Sequence, residues 1–140
     1  MNKNVVIYAT KTGHSKKLAE AIGLALNIEA KNINTKPALN HVDLLFVVGG
    51  IYGGVSMPEL LEYIKGLEMP LPGRAALVTS CASGSQRQTE IRSMLEKKGI
   101  EVVDEFVCRG GILFVFASHP NSKDVKDAAA FALRIVSETT

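Results

Sequence analysis

The stretch that decides the fold is Val5-Val6-Ile7-Tyr8-Ala9-Thr10-Lys11-Thr12-Gly13-His14-Ser15, near the start of a 140-residue chain. Its first five residues form a continuous apolar run, which is typical of a strand buried on both faces of a sheet. A helix is predicted to follow from about Ser15 to Leu26. Its apolar stripe consists of Leu18, Ile22, Ala25 and Leu26. A buried strand that passes through a short loop into a helix is the first unit of an α/β fold.

The loop between this strand and this helix is suited to bind a phosphate. Hydroxyl side chains alternate along it at Thr10, Thr12 and Ser15, and the N–H groups of a helix N-terminus attract anions. Gly13 allows the backbone to close around such an anion. A plain capped helix start is the alternative, but a single hydroxyl is sufficient for a cap. We therefore predict a phosphate-binding loop. Its members are Thr10, Lys11, Thr12, Gly13, His14 and Ser15.

Strand and helix alternate five times along the chain. Further strands are predicted at 28–33, 44–48, 75–79 and 102–107, and further helices from Pro58, over 86–98 and over 122–137. Such alternation favours a parallel sheet with right-handed crossovers and helices on both faces. The polar second strand suits a sheet edge. We predict a single domain, a three-layer α/β/α sandwich, in which the apolar segment 112–117 has no assigned role.

Three loops rich in Gly, Ser and Thr fall at the carboxyl ends of the first, third and fourth strands. In an open parallel sheet, ligands bind at this edge, where the strand order reverses. The sequence therefore predicts one ligand site built from the first loop and two others. The second loop contributes Gly50, Ile51, Tyr52, Gly53 and Gly54, and the third contributes Ser80, Cys81, Ala82, Ser83 and Gly84.

The first loop resembles the phosphate signature of flavodoxins, Thr/Ser-x-Thr-Gly-x-Thr, with Ser15 in its last place. The resemblance extends through all five strands, and the chain length is similar to that of the short type. It implies a flavodoxin-like sheet in the order 2-1-3-4-5, a non-covalently bound FMN, and electron transfer between redox partner proteins (a reductase and an acceptor). It also implies that Tyr52 flanks the flavin ring. Gly53 would allow a peptide flip that gives the reduced flavin N5–H a carbonyl acceptor.

Two features depart from the flavodoxin pattern. Many flavodoxins place a Trp or Tyr in the third loop to stack on the flavin, whereas this chain has no Trp and only small residues at 80–85. Flavodoxins are also typically strongly acidic, whereas the formal net charge here is +2. Small residues at 80–85 would still allow backbone N–H groups to reach the pyrimidine edge of the flavin.

Composition and charge argue against several other classes of protein. Hydrophobic residues make up 46% and charged residues 21% of the chain, as in soluble globular proteins. Lys and Arg are scattered rather than clustered in a basic stripe, so nucleic acid is not an expected partner. The first apolar run is too short for a signal peptide or a membrane span. We expect a cytoplasmic protein without membrane contacts, a monomer or weak dimer, and no metal site, since neither His nor Cys has ligand spacing.

Other classes of function remain open at this stage. Cys81 and Arg87 have the Cys-x5-Arg spacing of a phosphatase cradle, in which a thiolate attacks phosphorus and the arginine binds its oxygens. In phosphatases of related architecture that signature follows the first strand, whereas here it follows the fourth. A flavin-dependent reductase with its own substrate is the second enzymatic alternative. A flavodoxin-like module that has lost its flavin and serves in interactions is the non-enzymatic one.

Cys81 and Cys108 end the predicted fourth and fifth strands, which are neighbours in the predicted order. Adjacent strands lie about 4.8 Å apart, and a disulfide requires Cα atoms within about 7 Å, so a bridge is possible if the registers match. Inert packing is the stronger expectation, because cysteine is among the residues most often buried. Arg109 beside Cys108 would favour the thiolate form of that residue.

We predict that the reduction potential of the bound flavin is higher than in acidic flavodoxins with two stacked aromatic rings. Carboxylates and aromatic faces around the flavin destabilise its reduced, anionic form. The three loops contain no acidic residue before Glu59 and one aromatic residue, Tyr52, while Lys11 adds a positive charge. Redox titration of the purified protein measures the potential. A value at the low end of the flavodoxin range would contradict the prediction.

Overall fold

Strands and helices alternate throughout the part of the chain that the computed structural model describes, which is residues 3–11, 13–52, 55–81, 87–109 and 122–139. The predicted apolar segment 112–117 lies outside these residues. In chain order the elements are β1 (Asn4–Tyr8), α1 (His14–Leu26), β2 (Ala30–Asn32), a 3-10 helix (Ile33–Thr35), β3 (Leu44–Tyr52), β4 (Val55–Ser56), α2 (Pro58–Lys65), β5 (Arg74–Cys81), α3 (Thr89–Lys97), β6 (Glu101–Arg109) and α4 (Ser122–Thr139).

Five of these strands form a parallel sheet in the order β2-β1-β3-β5-β6. Counted along the chain without the short β4, this is the order 2-1-3-4-5, so the predicted topology is confirmed. The two-residue strand β4 pairs antiparallel with the end of β3. The polar strand β2 has three residues and lies at the sheet edge, as its composition predicts.

Each face of the sheet packs against two helices. One face packs against α2 and α3 and the other against α1 and α4, and we call them the α2/α3 face and the α1/α4 face. Burial of each large aliphatic side chain contributes about 1.5–3 kcal/mol. The large aliphatic helix side chains that are fully buried are Leu60, Ile64, Ile91 and Leu95 on the α2/α3 face and Leu18, Ile22 and Ile135 on the α1/α4 face.

The carboxyl ends of β3 and β5 are longer than the sequence predicts. Gly49 and Gly50 suggest an end to the third strand, but β3 continues to Tyr52. The reason is pairing, because β5 offers a partner at each step, as at Gly50 with Ser80 and Ile51 with Cys81. Gly50, Ile51, Ser80 and Cys81 therefore belong to the sheet rather than to loops.

A shift in register between β5 and β6 decides which face each residue of β6 occupies. Ala75 pairs with Val102, whereas the next residue, Ala76, pairs with Asp104, so that Val103 is an extra residue in β6. Side chains alternate between the two faces of a strand, and one extra residue reverses the alternation beyond it. From Asp104 onward, each side chain of β6 therefore lies on the face opposite to that expected from strict alternation.

This shift separates the two cysteines. Cys108 pairs with Ser80 and packs on the α1/α4 face, whereas Cys81, the residue after Ser80, lies on the α2/α3 face by alternation. Both thiols are buried and neither forms a disulfide, so the structure does not favour a redox pair. The expected Cys108 thiolate is wrong, because burial raises the pKa of this thiol to about 12.

We predict that Cys108 in the folded protein reacts very slowly with thiol reagents at pH 8. At a pKa of about 12, only about one thiol in ten thousand is ionised at this pH, and the thiolate is the reactive form. Thiol counting with a chromogenic disulfide reagent checks this, and Cys108 should react only after unfolding. Rapid titration of both thiols in the native protein, or their joint loss on mild oxidation, would show that the assignment of faces is wrong.

Candidate functional site

The carboxyl ends of β1, β3 and β5 lie side by side and carry the predicted site. Tyr8 pairs with Val48, and the N–H of Ala9 donates to the carbonyl of Val48 at 3.0 Å. Gly50 pairs in turn with Ser80. The structure thus brings the described parts of the three predicted regions to one edge. Outside the described residues lie Thr12, Gly53, Gly54, Ala82, Ser83, Gly84 and the side chain of Tyr52.

The loop between β1 and α1 is closed by one of its own side chains. The N–H of Gly13 donates to Oγ1 of Thr10 at 2.8 Å. Gly13 has a φ of 90°, in the left-handed region that favours glycine, and it is the N-cap residue of α1. No described side chain caps the helix, and its first turn contains no acidic residue. The N-terminal N–H groups of α1 and the helix dipole therefore favour an anion at this position.

Ser15 gives the most direct indication of a ligand. Its side chain is fully buried in the first turn of α1, and its Oγ has no hydrogen-bond partner among the described residues. A buried hydroxyl without a partner costs about 1–3 kcal/mol. A phosphate held at the helix N-terminus would supply an acceptor for this hydroxyl. The alternative of a simple hydroxyl-capped helix is not observed, because the cap residue is Gly13.

The positive charge near this helix N-terminus comes from lysines. Lys11, Lys16 and Lys17 are exposed. Burial, with a smaller contribution from the charge of Lys17, lowers the pKa of His14 below its ordinary value of 6.5. His14 is therefore neutral near pH 7, and an anion here would be attracted by the helix end and the lysine side chains.

Two cavities lie on the β2 side of this loop. The smaller has a volume of about 200 Å³ and is bordered by Thr10, Lys11, Asn32 and Met57. The larger, of about 620 Å³, extends along α2 away from the carboxyl edge of the sheet. Because the predicted chemistry is at the carboxyl edge, the smaller cavity is the one relevant to a ligand bound by the β1–α1 loop.

Strands β3 and β4 form a hairpin at the same edge. Ile51 pairs with Ser56 and Tyr52 with Val55. Ile51 as a whole is 4% exposed, so its side chain packs into the protein. A Cβ at Gly49 would lie 2.7 Å from Cδ2 of Leu60, so a larger residue at this position would require the leucine side chain to move.

A buried carboxylate that the sequence analysis did not select lies on the α2/α3 face close to this edge. Oε2 of Glu105 accepts hydrogen bonds from Oγ1 of Thr79 at 2.6 Å and from the N–H of Gln88 at 2.8 Å. Nε2 of Gln88 donates to Oγ1 of Thr79 at 3.0 Å. Oε1 of Glu105 lies 3.6 Å from the guanidinium of Arg92. A glutamate within an otherwise largely apolar strand was the only signal of this network in the sequence.

The structure does not favour the phosphatase hypothesis. Cys81 is 2% exposed and pairs within the sheet, whereas the side chain of Arg87 is exposed. A nucleophilic thiolate requires an accessible, electropositive environment. Among the described residues, no group of three or more His, Cys, Asp or Glu side chains could hold a metal ion. No helix in the same residues is long and apolar enough to cross a membrane.

Comparison with known proteins identifies a family for most of the chain. A family model described as a flavodoxin domain matches residues 5–115. An uncharacterized protein from Methanocaldococcus jannaschii is 29% identical, over 96% of this chain and 98% of its own length. The match therefore covers all three predicted ligand-binding regions.

Solved structures with the same fold include both flavodoxins and an oxidoreductase. A short-chain flavodoxin associated with a non-canonical PDU bacterial microcompartment has a TM-score of 0.73 at 18% identity and covers 100% of both chains. An NAD(P)H:quinone oxidoreductase from Methanothermobacter marburgensis has a TM-score of 0.60 at 12% identity, over 94% of this chain and 95% of its own. At these identities the similarity shows a shared fold.

We predict that Ser15→Ala leaves the ligand-free protein at least as stable as the wild type. The substitution removes an unpartnered buried hydroxyl, and we expect the free energy of unfolding to rise by up to about 1 kcal/mol. Thr10→Ala is the matched comparison, because it removes the acceptor that closes the loop and should lower the free energy of unfolding by about 1 kcal/mol. Urea denaturation measures both. A clear destabilisation by Ser15→Ala would show that the hydroxyl is satisfied within the protein.

Proposed function

Because this chain belongs to the flavodoxin family, we propose that it binds one FMN non-covalently and transfers electrons between redox partner proteins. The observation that carries the proposal is the fully buried hydroxyl of Ser15, which has no hydrogen-bond partner among the described residues, at an N-terminus of α1 that no described side chain caps. These features fit a terminal phosphate, which FMN has and riboflavin lacks. When bound, FMN supplies the capacity to accept and release electrons.

The phosphate of FMN would be held by the β1–α1 loop. Ser15 would donate a hydrogen bond, and the first N–H groups of α1 would donate others. Thr10 uses its oxygen to accept from the N–H of Gly13, which leaves its own O–H as a further donor. Lys11 would add positive charge from the exposed side of the loop. The proposed role of the loop is therefore to bind and orient one dianionic group.

The flavin ring would be held by the ends of β3 and β5. Gly50 and Ser80 are paired neighbours in the sheet, so that the segments following them leave from a rigid edge. Ile51 and Cys81, also paired, are both buried and pack into the protein. In this proposal the backbone of these segments orients the ring, and Tyr52 and Gly53 retain the roles that the family resemblance implies.

A flavin-dependent reductase is the second candidate, because the fold is shared with an NAD(P)H:quinone oxidoreductase. The two functions differ in whether this chain alone reduces a small substrate. The proposed carrier would reoxidise rapidly only with an acceptor protein, whereas a reductase would turn over a nicotinamide donor and a quinone without one. Two cysteines that remain thiols suit a reducing compartment, and we propose the cytoplasm.

Flavin titration of the ligand-free protein tests the proposal. FMN should bind at least about tenfold more tightly than riboflavin, since a lost charge-assisted hydrogen bond costs about 1.5–3 kcal/mol. Among the described residues near the site nothing suggests an adenine pocket, so FAD should also bind more weakly. Ser15→Ala should weaken FMN about tenfold while riboflavin affinity stays the same. The double substitution Thr12→Ala with Gly13→Val should weaken FMN further, because Gly13 has a left-handed φ.

Ser93→Ala is the control for this titration. Ser93 is an exposed serine on α3, and its substitution should leave the affinities for FMN and riboflavin unchanged. Equal affinity of the wild-type protein for FMN and riboflavin would sink the phosphate assignment. A protein that binds neither flavin would instead support a module that has lost its cofactor.

A further inference from the structure

We propose that Glu105 is a positioning residue for the flavin, because its carboxylate holds Gln88, the last residue of the connection between β5 and α3, against strand β5 near the end of that strand. This connection, residues 82–88, contains most of the third predicted ligand region. The inference rests on the proposed function for the identity of the ligand. It adds a residue from β6, a strand to which neither the sequence motif nor the family resemblance assigned a role.

The hydrogen bonds of Glu105 join strand β5, near its end, to the last residue of the connection. Thr79 lies two residues before the end of β5, and its hydroxyl donates to Oε2 of Glu105. Gln88 is the N-cap residue of α3, and its backbone N–H donates to the same oxygen. One oxygen atom therefore links β5, two residues before its end, to the residue from which the chain enters α3.

Stability alone is a weak explanation for this carboxylate. The side chain of Glu105 is 0% exposed, and burial of a charged group is costly unless it is fully paired. Two donors at Oε2 and the charge of Arg92, 3.6 Å from Oε1, offset part of this cost, while Oε1 has no hydrogen-bond partner among the described residues. Well-packed apolar side chains are often at least as stabilising as such a buried ion pair. What an apolar residue at position 105 could not provide is a fixed acceptor for the N–H of Gln88.

The register shift in β6 is what directs Glu105 to this face. Glu105 pairs with Leu77, which packs on the α2/α3 face. Without the extra residue Val103, strict alternation would direct Glu105 to the α1/α4 face, away from Gln88. Bulges near functional sites commonly redirect a side chain in this way.

The same network also contacts the strand that leads to the second predicted ligand region. Nε2 of Gln88 bonds to Thr79, and Oε1 of Gln88 would lie 3.0 Å from a Cβ built on Gly49. The side chain of Gln88 therefore packs directly over the backbone of β3, one residue before Gly50. Movement of Gln88 would disturb β3 as well as the β5–α3 connection, so Glu105 controls the position of two of the three ligand-binding segments.

Substitution at Glu105 tests the proposal in the ligand-free protein and with flavin. Glu105→Ala removes both acceptors, whereas Glu105→Gln keeps one carbonyl oxygen for the N–H of Gln88. Asp104→Asn is the control, since Asp104 is the preceding residue of β6 and pairs with Arg134 of α4, on the α1/α4 side of the sheet. Hydrogen exchange by NMR, without ligand, reports the amides of Gln88 and Thr89. Titrations with FMN and with riboflavin report binding.

We expect Glu105→Ala to accelerate exchange at the Gln88 amide about tenfold or more, while amides of β1 and α1 are unaffected. It should weaken FMN and riboflavin by the same factor, about tenfold, because the connection acts on the ring rather than on the phosphate. Glu105→Gln should show a smaller change of the same kind. Ser15→Ala, by contrast, should weaken FMN alone, and Asp104→Asn should change neither affinity.

Two results would overturn the proposal. Faster exchange at Gln88 with wild-type affinity for both flavins would restrict Glu105 to a role in stability. A loss of FMN affinity with unchanged riboflavin affinity would place its effect at the phosphate instead. If Glu105→Ala does not fold, Glu105→Gln decides between the same outcomes. Failure of the proposed function is recognised separately, because the wild-type protein itself would then bind no FMN.

Discussion

The helices that cover both faces of strands β1, β3 and β5 leave little room for polar side chains in the body of the sheet. Polar groups are tolerated where the strands end, because there the backbone and the helix N-termini offer partners. The described buried polar side chains follow this rule, since they belong to or contact the carboxyl edge. They are Ser15, Ser56, Thr79, Ser80, Gln88 and Glu105. The packing of the sheet thus confines the chemistry of the chain to one edge.

The topology could be predicted from the sequence because buried strands and amphipathic helices produce strong local patterns. The apolar runs at 5–9 and 44–48 have no polar residue that would mark an exposed face, and this requires helices on both sides. The shape of the loop before α1 was also predictable, since it depends on a few consecutive residues, whereas its phosphate-binding role stays a prediction. Its described members Thr10, Gly13 and Ser15 lie together at the start of α1, as predicted.

The exact strand ends and the register of β6 depend on contacts between distant parts of the chain, and a local sequence pattern does not contain these contacts. Gly49 and Gly50 suggest the end of a strand, yet β5 pairs with both and extends β3. The extra residue Val103 is not marked by glycine or proline, because its position is determined by how β6 matches β5. Strict alternation would place Cys108 on the same face as Cys81 and direct Glu105 away from Gln88. A single register shift therefore decides both the face on which Cys108 lies and whether Glu105 reaches Gln88.

Ser15 and Glu105 show two different ways in which this edge accommodates buried polar groups. The oxygens of Glu105 are close to donors of Thr79, Gln88 and Arg92, so this carboxylate links different parts of the protein to one another. Ser15 has no partner among the described residues, and in the proposed function its hydroxyl would donate to the phosphate of the ligand. In the proposed function, the hydrogen bonds of Glu105 hold the end of β5 and the start of α3 in place before the ligand binds. Less conformational entropy is then lost on binding. The arrangement at Ser15 lowers the stability of the ligand-free protein, and in the proposed function the phosphate would offset that loss on binding. The proposed selectivity for a phosphate-bearing ligand therefore depends on a buried donor that the described residues leave without an acceptor.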